Sequence, residues 1–229
     1  MRKRSLILPA LLLVAMGALS QADLIQTRSN PVGDGTMAVD TGRGDWSGLT
    51  AFNADPDDAP AGETDWQAVT IAHDSSSFYI RYLLHDGPGL NFRYNMLIDT
   101  DQNRGTGYIG DTSQFAVGAE YMVQGATLFQ YTGSGTDWFW SDLGLKPWDE
   151  SIANDVEIGF DQADIGSPES FDFVLWGDNA TTDDMYDDTG AGGGSGGYFE
   201  YTTNIPEPST AALVGLSLLA MLRLRRRRG

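Results

Sequence analysis

Trp66-Gln67-Ala68-Val69-Thr70-Ile71-Ala72-His73, then Asp74-Ser75-Ser76-Ser77, then Phe78-Tyr79-Ile80-Arg81-Tyr82-Leu83-Leu84-His85, is the stretch that decides the fold class. Both arms are rich in β-branched and aromatic residues and alternate with a period of two, the period of a strand. Trp66, Ala68, Thr70 and Ala72 are expected to share one face of the first arm. In the second arm Phe78, Ile80, Tyr82 and Leu84 form one face, and Tyr79, Arg81 and Leu83 the other. The polar link Asp74-Ser75-Ser76 turns the chain back, so the stretch predicts an antiparallel hairpin.

Working outward, the same pattern recurs. Strands are expected over Arg93–Asp99, Phe115–Val123, Ala126–Tyr131, Asp137–Ser141, Asp155–Phe160, Phe171–Trp176 and Tyr198–Thr202. Gln124-Gly125 is a two-residue link suited to a tight hairpin. Residues 23–58 are rich in turn formers, and Gly190–Gly197 reads as a loop. Helical periodicity is nearly absent; Asp161–Ile165 is expected to give one turn, with Asp161 as its N-cap. Around ten short strands with glycine-rich turns predict an all-β chain, an antiparallel β-sandwich of jelly-roll or immunoglobulin-like type.

The two ends read differently from the middle. Arg2, Lys3 and Arg4 precede the apolar run Leu6–Leu19, and Ser20-Gln21-Ala22 offers small residues for a cleavage site, so 1–22 is expected to be a signal peptide cut by signal peptidase. At the other end stand Pro206-Glu207-Pro208, an apolar run Ala211–Leu222, and the cations Arg223, Arg225, Arg226, Arg227 and Arg228. The prolines keep the motif extended. The apolar run, at about 1.5 Å rise per residue, is well short of the ~30 Å hydrocarbon core, and the arginines would stay cytoplasmic. This order of parts resembles the PEP-CTERM sorting signal. The resemblance implies an exosortase-type membrane protease as partner, transient residence in the inner membrane, and delivery to the cell surface or extracellular matrix.

Between the ends, residues 23–205 are expected to form one domain. They carry six Lys and Arg against 31 Asp and Glu. Such a surface repels nucleic acid and attracts divalent cations; it also suits a saline habitat. The chain has no cysteine, which excludes thiol catalysis and cysteine-held zinc. His73 and His85 are expected to be surface residues at strand ends some 25 Å apart at ~3.3 Å per residue, too far for a shared metal or haem. Arg43-Gly44-Asp45 is a triplet used in adhesion, but a tripeptide recurs by chance.

Two groups of residues are candidates for chemistry. The first lies in Leu97-Ile98-Asp99-Thr100-Asp101-Gln102-Asn103-Arg104-Gly105-Thr106-Gly107-Tyr108. Oxygens at every second position, Asp99, Asp101 and Asn103, turn toward one point when the backbone curls, and Ca²⁺ takes about 6–8 such oxygens. Asp111 and Glu120 are candidate further ligands. Arg104 and Gly110 stand where an EF-hand loop has glycine and a bidentate Glu, so the loop is not an EF-hand. An acidic turn closed by Asx hydrogen bonds fits the same residues, and both readings stay open. The second group is Trp138 and Trp140, two apart and so on one side of a strand with Phe139 opposite, together with Trp148 and Trp176. Their flat faces suit the C–H groups of pyranose rings; packing in a core or hairpin is the alternative. Trp46 and Trp66 are expected in the core.

The order of motifs is also informative. Gly44-Asp45-Trp46-Ser47-Gly48, Asp65-Trp66, Ser77-Phe78-Tyr79-Ile80-Arg81, Ile98-Asp99-Thr100-Asp101 with Gly105-Thr106-Gly107-Tyr108, Gly118-Ala119-Glu120-Tyr121 and Asn154-Asp155-Val156-Glu157-Ile158 follow one another. This succession resembles the family-nine carbohydrate-binding modules and DOMON-like β-sandwiches over roughly residues 32–203. The resemblance implies a sandwich, often with bound calcium, and in some members polysaccharide recognition. No nucleophile elbow, phosphate loop or HExxH stands in the sequence, so a non-catalytic binding protein is expected. A structural matrix protein without a sugar site is the second expectation, and a polysaccharide hydrolase or lyase the third.

Overall fold

The computed structural model describes residues 24–52, 55–57, 64–86, 94–110, 117–178, 183–185 and 197–203. Among the described residues, twelve strands form two packed sheets. The larger sheet contains β1 (Leu24–Arg28), β12 (Tyr198–Thr202), β10 (Ser170–Asp178), β4 (Tyr94–Asp99), β5 (Tyr121–Gln124), β6 (Thr127–Tyr131) and β7 (Trp140–Leu145), in that order. A short strand, β11 (Asp183–Met185), also pairs with β10. The smaller sheet runs β2 (Asp65–His73), β3 (Ser77–Asp86), β9 (Asp155–Asp161), β8 (Trp148–Ile152). Pairing is antiparallel except where β1 lies parallel to β12. The expected β-sandwich is therefore the fold.

The core fills the space between the sheets. Phe78, Ile80, Tyr82 and Leu84 point inward from β3, as their alternation predicts, against Phe171, Phe173 and Leu175 of β10 and Met96 and Ile98 of β4. At about 25 cal/mol per Å² of apolar surface, each such side chain contributes roughly 1.5–3 kcal/mol. Aromatic rings dominate one end: Phe52, Phe173 and Phe199 meet at 5.0–5.5 Å between centroids.

The first arm departs from expectation. Trp66 faces the core, but the next inward residues are Val69 and Ile71, while Ala72 packs on the opposite side with Met37 and Trp46. The pairing of β2 with β3 shifts register between Asp65, Trp66 and Ala68, and one extra residue in a strand reverses the facing of everything beyond it. Thr70 and Ala72 are thus not on the face of Trp66. Three strands were not expected at all, the short β11 among them. β1 lies in the turn-rich N-terminal segment, and β8 (WDESI) is a mostly exposed edge whose polar residues hide its pattern. The hairpin turn is Gly125-Ala126, one residue later than expected, because Gln124 pairs with Thr127 and Gly125 takes the positive φ. Asp161 does sit at the N-cap of a single turn, Gln162–Ile165, but its side chain makes no capping bond.

The outer face of the smaller sheet is covered by the N-terminal segment. Arg43 reaches over that sheet and pairs with Asp149, Asp155 and Glu157 at 2.9–3.2 Å, and the Trp46 indole N–H donates to Glu157. Arg81 holds Asp155 with a two-pronged pair at 2.7 and 2.8 Å. The arginine of the Arg43-Gly44-Asp45 triplet is consumed by this network, and Asp45 accepts the Ala38 N–H. His73 is a correction: it is buried, 7 % exposed, with Nδ1 2.7 Å from the Tyr201 hydroxyl. Its place at the strand end does not expose it, because the chain at Asn30–Val32 pairs along that end of β2.

Candidate functional site

The outer face of the larger sheet carries both candidate groups. Alternation sends Leu97, Met122 and Val174 outward from β4, β5 and β10. The loop after β4 folds back over them, bringing Val117 and Ala119 down, and a bridge between Tyr108 and Ala119 closes it. Two glycines allow that fold. A Cβ on Gly118 would lie 2.3 Å from the Thr106 carbonyl oxygen, and one on Gly107, whose φ is +64°, 2.5 Å from that of Ala119.

Asp99, at the end of β4, Asp101 in the loop and Glu120 before β5 each present a carboxylate oxygen, all within 4.8 Å of one another. Asp99 is fully buried and accepts backbone N–H bonds from Gly118 and Asn103 at 3.1 and 3.2 Å. Burial, helped by the charges of Glu120 and Asp172, raises its pKa to about 7 against those two bonds. Burial also raises Glu120, with Asp101 adding repulsion. Glu120 Oε2 accepts the Thr100 N–H at 2.9 Å, whereas its buried Oε1 has no hydrogen-bond partner. Three converging acids, one oxygen left unsatisfied, fit a hard divalent cation better than they fit one another. Asn103 takes a different part: its side-chain oxygen accepts the Gly105 N–H at 3.1 Å, an Asx turn. Asp111 lies outside the described residues. Asp172, paired in register with Asp99 on β10, is a buried acid that sequence reasoning missed, since only sheet pairing places it there.

The aromatic group lies on the same face. Trp138 meets Tyr108 at 4.9 Å, Trp140 at 5.4 Å and Trp176 at 6.0 Å, and Trp140 meets Tyr131 at 5.1 Å. Trp138 is exposed, while Trp140 and Trp176 are partly buried against Leu97, Met122 and Val174. Trp138 and Trp140 do share a side, although Trp138 precedes β7 rather than lying in it. Trp148 does not join them; it stands exposed on β8 in the other sheet. Tyr108 and Tyr131 complete the cluster and were not anticipated. The signal for Tyr131 was its alternation with Phe129, but Tyr108 arrives only through the loop's fold-back.

Elsewhere an open cleft of about 570 Å³ lies beside Tyr79, Lys146, Gly159 and Asp164, with Lys146 and Asp164 paired at 2.8 Å. No helix among the described residues is long and apolar enough to cross a membrane. Pro206, Glu207, Pro208 and the arginines 223 and 225–228 lie outside the described residues, as does the leader 1–22.

Residues 204–228 match the family model of the PEP-CTERM protein-sorting motif. The expected sorting signal is thereby established, and with it export and exosortase-dependent sorting to the surface or extracellular space. Neither the curated proteins nor the solved structures contain a match to the chain.

Proposed function

We propose that this exported, exosortase-sorted protein is a non-catalytic component of the cell surface or extracellular matrix whose sandwich binds carbohydrate. The platform is formed by Tyr108, Trp138, Trp140 and Trp176, and Ca²⁺ at Asp99, Asp101 and Glu120 holds the loop that carries Tyr108. One observation carries the reading. Three tryptophans from two distant parts of the chain converge on one outer face, and Trp138 remains open to solvent there. A sugar ring covers such a surface with C–H groups, while hydroxyls stay in water. The acidic surface around it disfavours polyanionic glycans and favours neutral ones.

The test is to purify residues 23–205 with calcium and titrate soluble glucan, xylan, chitin fragments and cellulose while following tryptophan fluorescence. Quenching by one of them, lost in Trp138→Ala, is the expected result. If none is retained and none quenches, carbohydrate binding fails for those ligands. A structural matrix role is then the better reading. It has its own support: the rings meet edge to face at interplanar angles of 59–82°, so they also serve as packing for one another.

A further inference from the structure

A sheet of open strands leaves backbone donors and acceptors along its edges, and natural proteins cover or charge those edges. Three of the four edges here are managed. β2 is covered by the N-terminal segment, through Val32 N–H to the His73 carbonyl, Phe52 N–H to Val69 and Asp55 N–H to Gln67. β8 carries Asp149 and Glu150, and antiparallel pairing of two β8 strands centred on Glu150 would set acid against acid. β1 ends in Arg28, a cation on the edge.

β7 is different. Among the described residues its outer edge has no partner strand. Its sequence, WSDLGL, holds one charge. All six large apolar side chains that stand exposed among the described residues, Trp138, Phe139, Leu143, Leu145, Trp148 and Ile152, lie in or beside β7 and β8. Acids stand around this region, at Asp137, Asp149 and Glu150, but within β7 itself Asp142 is the one charge.

The hydrogen-bond phase of β7 sets what can dock there. The Phe139 carbonyl accepts the Thr132 N–H, and Ser141 pairs with Gln130, so odd positions here face β6. Trp140 and Asp142 therefore turn their N–H and C=O groups outward. Beyond Leu143 the strand is bulged at Gly144, whose φ is +95°, which limits straight pairing to residues 139–143. A second copy, antiparallel and centred on Ser141, matches this edge. Trp140 exchanges both backbone bonds with Asp142 of the other copy, Ser141 faces Ser141, and the 65 % exposed Phe139 comes opposite Leu143. No acid faces an acid in this register, in contrast to β8.

The geometry points to self-association through β7, joining two eight-stranded sheets into one continuous sheet about a two-fold axis. Net negative charge elsewhere opposes the encounter, so salt promotes it. This inference stands whether or not the aromatic platform binds sugar.

The chain has no cysteine, which makes the register directly readable. Ser141 would occupy a non-hydrogen-bonded antiparallel pair, with Cα atoms about 4.5 Å apart, within the span of a disulfide. The full chain carrying Ser141→Cys is oxidised mildly and run on a non-reducing gel. A homodimer is expected, formed more completely at 0.5 M than at about 0.05 M salt. The control Ser151→Cys, on β8, is expected to stay monomeric. Adding Leu143→Lys to Ser141→Cys should reduce the dimer at least tenfold while the circular dichroism spectrum stays that of a folded β protein. Equal cross-linking of the two cysteine variants, no homodimer, or linkage to a different protein each overturns the proposal.

Discussion

His73 is the residue whose setting most changes what the molecule should do in solution. Its ring is buried against Phe78 and Tyr201, and desolvation lowers its pKa from the ordinary histidine value despite the nearby Asp74. The folded state thus binds the proton less readily than the unfolded chain. Its contribution is fully present above about pH 6.5 and is lost as pH falls below that toward the depressed folded value. In urea unfolding from pH 7.5 to 5, the stability of the unmodified protein relative to His73→Gln should decline in this window. The difference between the two curves is the readout, since Asp99, raised to about 7, works in the opposite sense in calcium-free buffer. A difference curve independent of pH would refute the assignment. Nothing in residues 66–85 foretold this burial. The covering segment Asn30–Val32 is over forty positions away, and periodicity reports facing within a strand, not what lies across its edge.

The element that matters is the loop between β4 and β5. Its acids Asp99, Asp101 and Glu120 stand together at one end, and Tyr108 docks on Trp138 and Trp140 at the other. Like charges this close repel, so in the absence of a cation the loop is held against its own electrostatics. Millimolar Ca²⁺ should raise the melting temperature by several degrees. One to two kcal/mol corresponds to about 2–8 °C for a domain of this size. Asp99→Ala with Asp101→Ala should abolish the rise, and a calcium-insensitive melting curve for the unmodified protein would remove the metal. The alternating acids made Asp99 and Asp101 legible in sequence, because a turn brings every second side chain to one side. Glu120 was legible only as one acid among many. Its place beside Asp99 depends on β4 and β5 pairing, with Ile98 opposite Tyr121.

At the scale of the whole molecule, an acidic sandwich is joined to a terminal address. Residues 204–228 match the sorting motif, and Pro206-Glu207-Pro208 is the tripeptide that signals it in the sequence. Replacing these three residues by alanine should leave the chain uncut in the inner-membrane fraction, while the unmodified protein appears outside with a lower mass; equal release of both would break the link between motif and processing. By itself the sequence determined the class of fold, the inward face of β3, the sorting tail and the strongly anionic middle. Each of these follows from neighbouring residues: period-two alternation, proline geometry, length of an apolar run, count of charges. Only the tertiary structure decided the rest. A one-residue bulge turned β2 over, sheet pairing set Asp172 beside Asp99, and a loop folding back set Tyr108 among tryptophans that separate strands bring together while leaving Trp148 on the other sheet. These are contacts between segments far apart in the chain. Their free energy exists only once both sheets have formed, so no local pattern records it.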